Sequence, residues 1–342
     1  MDDIANQLEL LGLTETLRRS EAGVSGNTAH KRVRNRIETL HQVMSSIPEA
    51  DEIGFQHAGL CQTFLPHSKP ASPSEIWRRK AGDFSLSVVP GAHQGDYVGV
   101  PYGAKARLIL IHIQTEGMKS RTVHLGANLA AFLRALGLAR TGGPRGTIRM
   151  IQDQATRLMK CKFTMEWEHT SRGLNRSGFR DIQIADGGEI WSSGGGKWVN
   201  TIELTPQFQH HLREHAVPLD RRGIAHLSGN SLGLDLYALL AYRLPQLRQS
   251  THIRWMSLKD QIGADYGSSY DLGKKVRGVI PDVMVAYPHA KVEATATGLT
   301  LRPSEPSVPP KTLVSGFRLI ANGTENKPGM DRNLQAANRN YD

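Results

Sequence analysis

In the second half of the chain, the five residues His211-Leu-Arg-Glu214-His215 have the spacing of an inverted zinc-hydrolase signature. On a helix, histidines at i and i+4 share a face and can hold zinc, with the glutamate as general base. The surroundings argue against that chemistry. The segment is short, Pro218 stops it, and no acidic residue downstream stands in an obvious third-ligand position. The run Ser193-Gly-Gly-Gly-Lys197 invites comparison with a phosphate-binding loop, yet Trp198 stands where Ser or Thr would ligate magnesium. It reads as a tight hairpin turn. Rolling-circle nicking enzymes use two histidines separated by one apolar residue. No two of the 14 histidines stand two positions apart, and His112, between Ile111 and Ile113, has no such partner. No catalytic residue, metal ligand or cofactor is therefore assigned.

A different chemistry, recognition of base edges and phosphates, suits the residues from Thr147 to Lys160. Ile148, Ile151, Ala155 and Leu158 fall on one side of a helix, while Arg149, Gln152, Asp153, Thr156, Arg157 and Lys160 fall on the other. Arginine bridges O6 and N7 of guanine, and glutamine bridges N6 and N7 of adenine. Thr147 at the expected cap and Arg145 in the preceding turn stand where phosphate contacts anchor such a helix. Arg172, Arg176 and Arg180 follow in the polar run HTSRGLNRSGFR. A second set comprises Ser268, Ser269 and Tyr270 at the start of a later helix, with Lys274, Lys275 and Arg277 along it. Pro281 is expected to kink or end that helix early, which leaves Ser268 to Gly278 as its DNA-facing turns.

The elements that must position these side chains recur in order. GVPYGAKARLILIHIQTEGMK has an almost unbroken apolar centre and reads as a buried helix. Thr122 to Leu125 is strand-like, and Leu129, Phe132, Leu133 and Leu136 are spaced for a helix face. The helix at 147–160 follows, then strands near Cys161 to Trp167 and Asp181 to Trp191 with HTSRGLNRSGFR as their loop. From 199 onward the sequence gives a strand and short helix, then SLGLDLYALLAYRL as a buried helix capped by Ser231. HIRW as a strand, SLKDQIG as a short helix, Leu272 to Tyr287 as a longer one and a hairpin around AKVEATATGLTLRP complete the order. Helix, strand, helix, helix and hairpin thus appear twice. The expected class is α+β with tandem winged-helix domains. Residues 1–50 read as an N-terminal helical extension in which Val33, Ile37, Leu40 and Met44 line one face. Residues 51–204 form the first domain with a loop-rich lead-in, 205–303 the second, and 304–342 a flexible tail.

The totals agree with a polyanionic partner. The 342 residues are 39% hydrophobic with a formal net charge of +10, and the isoelectric point is about 9.7. Between residues 101 and 170, eleven Lys and Arg stand against four Asp and Glu, so most of the excess lies beside the first candidate helix. Cys61 and Cys161 are far apart in sequence, which argues against a disulfide framework and for a reducing compartment. The N-terminal MDDIANQLEL lacks a signal-peptide core and no run approaches 18 apolar residues, so a cytoplasmic location is expected.

The chain also resembles the plasmid-encoded RepA replication initiators of bacteria. The likeness is carried by CQTFLPHSKP (61–70), VGVPYGAKARLILIHIQTE (98–116) and LGANLAAFLRALGL (125–138). HAVPLDRR (215–222), LGLDLYALLAYRL (232–244) and YPHAKVEATATGLTLRPSEP (287–306) continue it, in order over residues 55–306. HAVPLD also accounts for His215 without zinc. The resemblance implies a protein that binds repeated sites (iterons) in double-stranded DNA at its plasmid's origin, helps open the duplex and recruits the host replicative helicase and host initiator protein. It further implies monomers at the origin and dimers in autorepression, tandem winged helices, and no catalytic chemistry. The rival readings are a winged-helix transcriptional repressor without an initiator role and, further off, a nicking enzyme or zinc hydrolase.

Overall fold

The computed structural model describes residues 2–310 except 23, 83, 127–128, 139, 142, 144–145, 172–173, 183, 194–195 and 263–265. Side chains are described except at 2, 129, 167–183 and 188–200. Of the expected flexible tail, all beyond 310 lies outside the described residues.

Two helices lead. α1 (Asp2–Ala22) bends at Gly12, whose φ of 73° breaks the helical path, and α2 (Asn27–Ser45) runs beside it. Leu8, Ile37 and Leu40 form a small cluster with Val285, bordered by Val33 and Met44. The spacing of apolar residues in α2 thus gives the face that docks on the C-terminal half. Arg36 reinforces the docking with an ion pair to Asp282 at 2.5 Å. Burial of Asp282 opposes its charge, but hydrogen bonds from Arg36 and His226 hold its carboxyl well below the usual range.

The lead-in supplies β1 (Ile53–His57), β2 (Trp77–Ala81), β3 (Phe84–Val89) and the two-residue strands β4 (Ala92–His93) and β5 (Asp96–Tyr97). Then come α3 (Gly103–Gly117), β6 (Thr122–His124), α4 (Leu129–Ala135) and α5 (Thr147–Lys160). α3 has an apolar centre and is buried from Ala106 to Thr115, the polar Arg107, His112, Gln114 and Thr115 included. A helix without a solvent-facing stripe has to be covered all round, and β1, α5 and a later helix from the C-terminal half do so.

Four strands follow: β7 (Lys162–Ser171), β8 (Leu174–Ile182), β9 (Ala185–Ser193) and β10 (Gly196–Leu204). This corrects the expected wing. HTSRGLNRSGFR is not a loop; β7 and β8 pair along their whole length, from Phe163 with Ile182 to Ser171 with Leu174. That hairpin joins the lead-in strands in a sheet of order β2-β3-β7-β8, while β6 pairs with β10 in the order β6-β10-β9. β9 and β10 pair from Ser193 with Gly196 onward, and the two glycines between them, on which the tight-turn reading of SGGGK falls, lie outside the described residues.

The C-terminal half contains α6 (Pro206–His215), β11 (Ala216–Asp220), α7 (Arg221–His226), α8 (Ser231–Arg243) and β12 (Thr251–Arg254). It ends with α9 (Trp255–Gln261), α10 (Ser269–Ala286), β13 (Val292–Ala294) and β14 (Gly298–Leu301). The last three strands form a sheet of order β12-β14-β13. In both halves, then, the strand after the first buried helix pairs with the last strand of a hairpin. The fold is α+β. One apolar core runs from Leu60 to Leu301 and continues across residue 204, and β1 of the lead-in pairs with β11.

Three local expectations change. The cap of α8 is Asn230, whose side chain accepts from the Gly233 N–H, and Ser231 is already helical. The cap of α5 is Gly146, and Thr147 lies inside the helix. α10 passes through Pro281 to Ala286. The proline frees the carbonyl four residues back at Arg277, but Arg277 and Gly278 are exposed, so water can satisfy it and the helix continues.

Candidate nucleic-acid interface

α5 turns Ile151, Gln154, Ala155 and Leu158 inward. Arg149 and Lys160 are exposed, and Gln152 and Thr156 are half-buried, the Thr156 hydroxyl donating to the Gln152 carbonyl at 3.0 Å. Thr147 braces the turn before the helix: its N–H donates to the Thr141 hydroxyl at 2.9 Å, and its own hydroxyl accepts from the Thr141 N–H at 3.0 Å. Arg157 departs from the expected open face. It is only 8% exposed, pairs with Asp153 at 2.9 Å and donates to the Val100 carbonyl at 3.3 Å. Its guanidinium also lies 5.2 Å from the centroid of the Tyr102 ring. The reason is its place at the margin of the buried stripe, three residues after Gln154, where the lead-in closes over it. Arg145 and Arg172 lie outside the described residues, as do the side chains of Arg176 and Arg180.

On α10, Ser268 is the cap. Its hydroxyl accepts from the Asp271 N–H at 3.1 Å and donates to the Asp271 carboxylate at 2.6 Å. Ser269 is half-buried, Tyr270 is 73% exposed, and Lys274, Lys275 and Arg277 are exposed. Tyr270 and Lys274 are four residues apart and so share one face. Arg277 is exposed but engaged, donating to the Thr295 carbonyl at 2.9 Å in the turn between β13 and β14. Trp255 holds the same turn: its indole N–H donates to the Ala296 carbonyl at 3.0 Å and its backbone N–H to the Thr297 carbonyl at 3.0 Å. α10 can approach α9 this closely because residue 273 is glycine; a Cβ there would stand 3.1 Å from the Trp255 ring. Helix pair and hairpin turn therefore form one rigid unit.

Sequence reasoning passed over Arg254 and Met256 at the start of α9; Arg254 is exposed and Met256 is 70% exposed. It also passed over a polar cleft of about 840 Å³ where Arg78 and Lys80 on β2 and Ser85 and Ser87 on β3 face Ser257 and Asp260 on α9. The only sequence signal was the alternation in WRRKA, which puts Trp77, Arg79 and Ala81 inward and leaves Arg78 and Lys80 outside.

The histidine motif on α6 meets a third histidine. The rings of His57, His211 and His215 lie 5.5 to 6.1 Å apart by centroids. Glu214, the candidate base, lies 3.4 Å from exposed His210 instead. Among the described residues no group of three His, Cys, Asp or Glu side chains is placed to share a metal ion. Burial, then His215 and His211, push the His57 imidazole down to about 3. Its Nδ1 accepts from the Gly59 N–H at 3.1 Å. No helix among the described residues is long and apolar enough to cross a membrane.

Comparison with known proteins completes the picture. No curated protein matches the chain. Two solved structures align with it. One is a crystal structure of SeMet derivatives of domains 2 and 3 of RctB, at 12% identity and a TM-score of 0.40, covering 65% of this chain and 83% of that one. The other, of RctB domains 2-3, aligns at 11% identity and a TM-score of 0.40, covering 71% of this chain and 94% of that one. The profile of the family described as plasmid encoded RepA protein matches residues 100–257, from just before α3 to the first turn of α9. Over residues 100–257 the chain is thus similar to the plasmid-encoded RepA proteins, the likeness that its motifs carry.

Proposed function

We propose that this protein is a plasmid replication initiator that binds repeated sites in double-stranded origin DNA through two winged-helix modules, without catalytic chemistry of its own. The observation that carries the reading is the repeated arrangement: a buried helix, a strand, two helices and a hairpin, with strand order β6-β10-β9 in one half and β12-β14-β13 in the other. In each copy the second helix of the pair presents basic side chains, Arg149 and Lys160 on α5 and Lys274 and Lys275 on α10. The two helices would enter successive major grooves, with hairpins and flanking lysines and arginines on phosphates to set register. The wing of the first module is then β9–β10, and β7–β8 is an insertion bound to the lead-in sheet. Binding free energy from several bound copies would open the origin. Recruitment of the host helicase and host initiator, and repression of its own gene by a dimer, follow from the family and belong to the same proposal.

Footprinting of the purified protein on DNA flanking its own gene tests this. Regularly spaced protected repeats of about 20 base pairs, near two helical turns, are expected. A single protected palindrome would favour a repressor, and absence of protection would overturn the DNA-binding reading. Incubation with supercoiled origin DNA and magnesium should leave the DNA closed; nicking abolished by a tyrosine substitution would overturn the non-catalytic reading.

A further inference from the structure

Three of the stretches that carry the family likeness meet at one buried point between the two halves. CQTFLPHSKP supplies His67, VGVPYGAKARLILIHIQTE supplies Arg107 on α3, and LGLDLYALLAYRL supplies Asp235 on α8. Arg107 and Asp235 form a bidentate ion pair at 2.5 and 2.6 Å, with side chains 6% and 3% exposed. The remaining guanidinium N–H groups donate to the carbonyls of Leu65, Pro66 and Gly103 at 2.6, 3.1 and 3.0 Å. All five donors of Arg107 are thus used, which is the condition under which a buried pair is tolerated. Lysine, with three donors on one nitrogen, could not replace it.

The network continues outward. His67 Nε2 lies 2.7 Å from the second oxygen of Asp235, and His67 Nδ1 lies 3.2 Å from the Tyr266 hydroxyl. A carboxylate accepts, so His67 Nε2 donates to Asp235, and the other ring nitrogen and the Tyr266 hydroxyl share the next hydrogen bond. Tyr266 stands two residues before Ser268, the cap of α10. A continuous set of hydrogen bonds therefore runs from α3, through α8, to the segment that enters α10.

We propose that Arg107, Asp235, His67 and Tyr266 form the joint that fixes the separation and angle of α5 and α10, with His67 and Tyr266 as positioning residues for α10. The inference rests on the reading of both helices as DNA-facing. It gives a structural task to the three stretches that meet here, in which Lys69 alone among the basic residues is exposed: they hold the two readers in register. A fixed joint removes the ordering cost that a flexible linkage would bear on binding two half-sites at once.

The test uses the full chain in two measurements. Spin labels are placed through Met150→Cys on α5 and Gly278→Cys on α10, both exposed. The native cysteines are buried, which pushes the Cys61 thiol well up and the Cys161 thiol up to about 11, so they resist labelling. In free protein the distance distribution should be narrow and should broaden about twofold in Tyr266→Phe and in His67→Leu. Phe keeps the ring of half-exposed Tyr266 and removes only its hydroxyl, so a folding defect is not expected there. Unchanged width in both variants overturns the joint, whatever the protein does with DNA. The second measurement is affinity for DNA carrying both half-sites, each alone, and both moved apart by two base pairs. Tyr266→Phe should bind the complete site roughly 5–10-fold more weakly, bind single half-sites as the wild type does, and tolerate the insertion better. Wild-type sensitivity to the insertion in Tyr266→Phe also overturns the joint. Failure of the wild-type protein to bind any of these DNAs overturns the functional reading and leaves the spin-label result to decide the joint.

Discussion

Arg149 and Arg157 lie eight residues apart on α5 and face different surroundings. Arg149 is exposed on the presented face. Arg157 is spent inside the protein on Asp153, the Val100 carbonyl and the Tyr102 ring. Replacing Arg149 by alanine should weaken specific DNA binding by about 1–3 kcal/mol if it is bidentate to guanine, with little change in stability. Replacing Arg157 should instead lower unfolding free energy by about 1–3 kcal/mol, because a buried carbonyl loses its donor and Asp153 its partner. Urea unfolding and gel-shift titration of both variants separate the two roles. A stable Arg157→Ala protein with lost DNA affinity would reverse the assignment. Helical periodicity put both side chains on one polar face, since it describes a lone cylinder and cannot include the lead-in strand that covers its margin.

α10 shows the same limit on the scale of an element. Its basic turns and the following hairpin were legible in sequence, while its start, read at Leu272, lies at Ser269 behind the Ser268 cap. The spacing carried the helix to Tyr287 while Pro281 argued for a kink or an early end, and which prevails depends on whether the freed carbonyl meets water or protein. Of its cations, Lys274 and Lys275 carry no tie to the hairpin, whereas Arg277 holds Thr295. Replacing both lysines by glutamine should therefore reduce the slope of log affinity against log salt by roughly one unit per lost phosphate contact. The check is a titration of DNA binding across salt concentrations. An unchanged slope would mean that this half meets DNA by another face.

Across the whole molecule, stability should fall in mild acid because His57 joins the lead-in strand β1 to α6. His57 is neutral and buried, with His211 and His215 facing it from α6; its backbone N–H donates to Gln114 on α3 at 2.8 Å. Its folded pKa, about 3, lies below the unfolded value near 6.5. The unfolded chain thus takes up the proton first. The contribution is complete above about pH 6.5 and is lost as pH falls from there towards 3, at roughly 1.4 kcal/mol per pH unit. Urea midpoints at about pH 7.5 and 5.5 should show this, and His57→Asn, whose amide oxygen can still accept from Gly59, should flatten the dependence. An equal slope in the variant would place the acid sensitivity elsewhere.

The sequence by itself determined the main helices, their order and the resemblance to a family. Apolar runs and amphipathic spacing are written within a few residues of where they act, and α3, α5 and α8 lie where those patterns put them, with the caps of α5 and α8 one residue earlier than expected. Tertiary structure decided which hairpin pairs with β6, which arginine faces outward, and how α3 meets α8. Strand partners and buried ion pairs join residues more than a hundred positions apart, as Arg107 and Asp235 do, and no local pattern encodes such a meeting. The motifs that carry the family likeness were legible as strings; that three of them converge on one buried joint became visible only when the chain was folded.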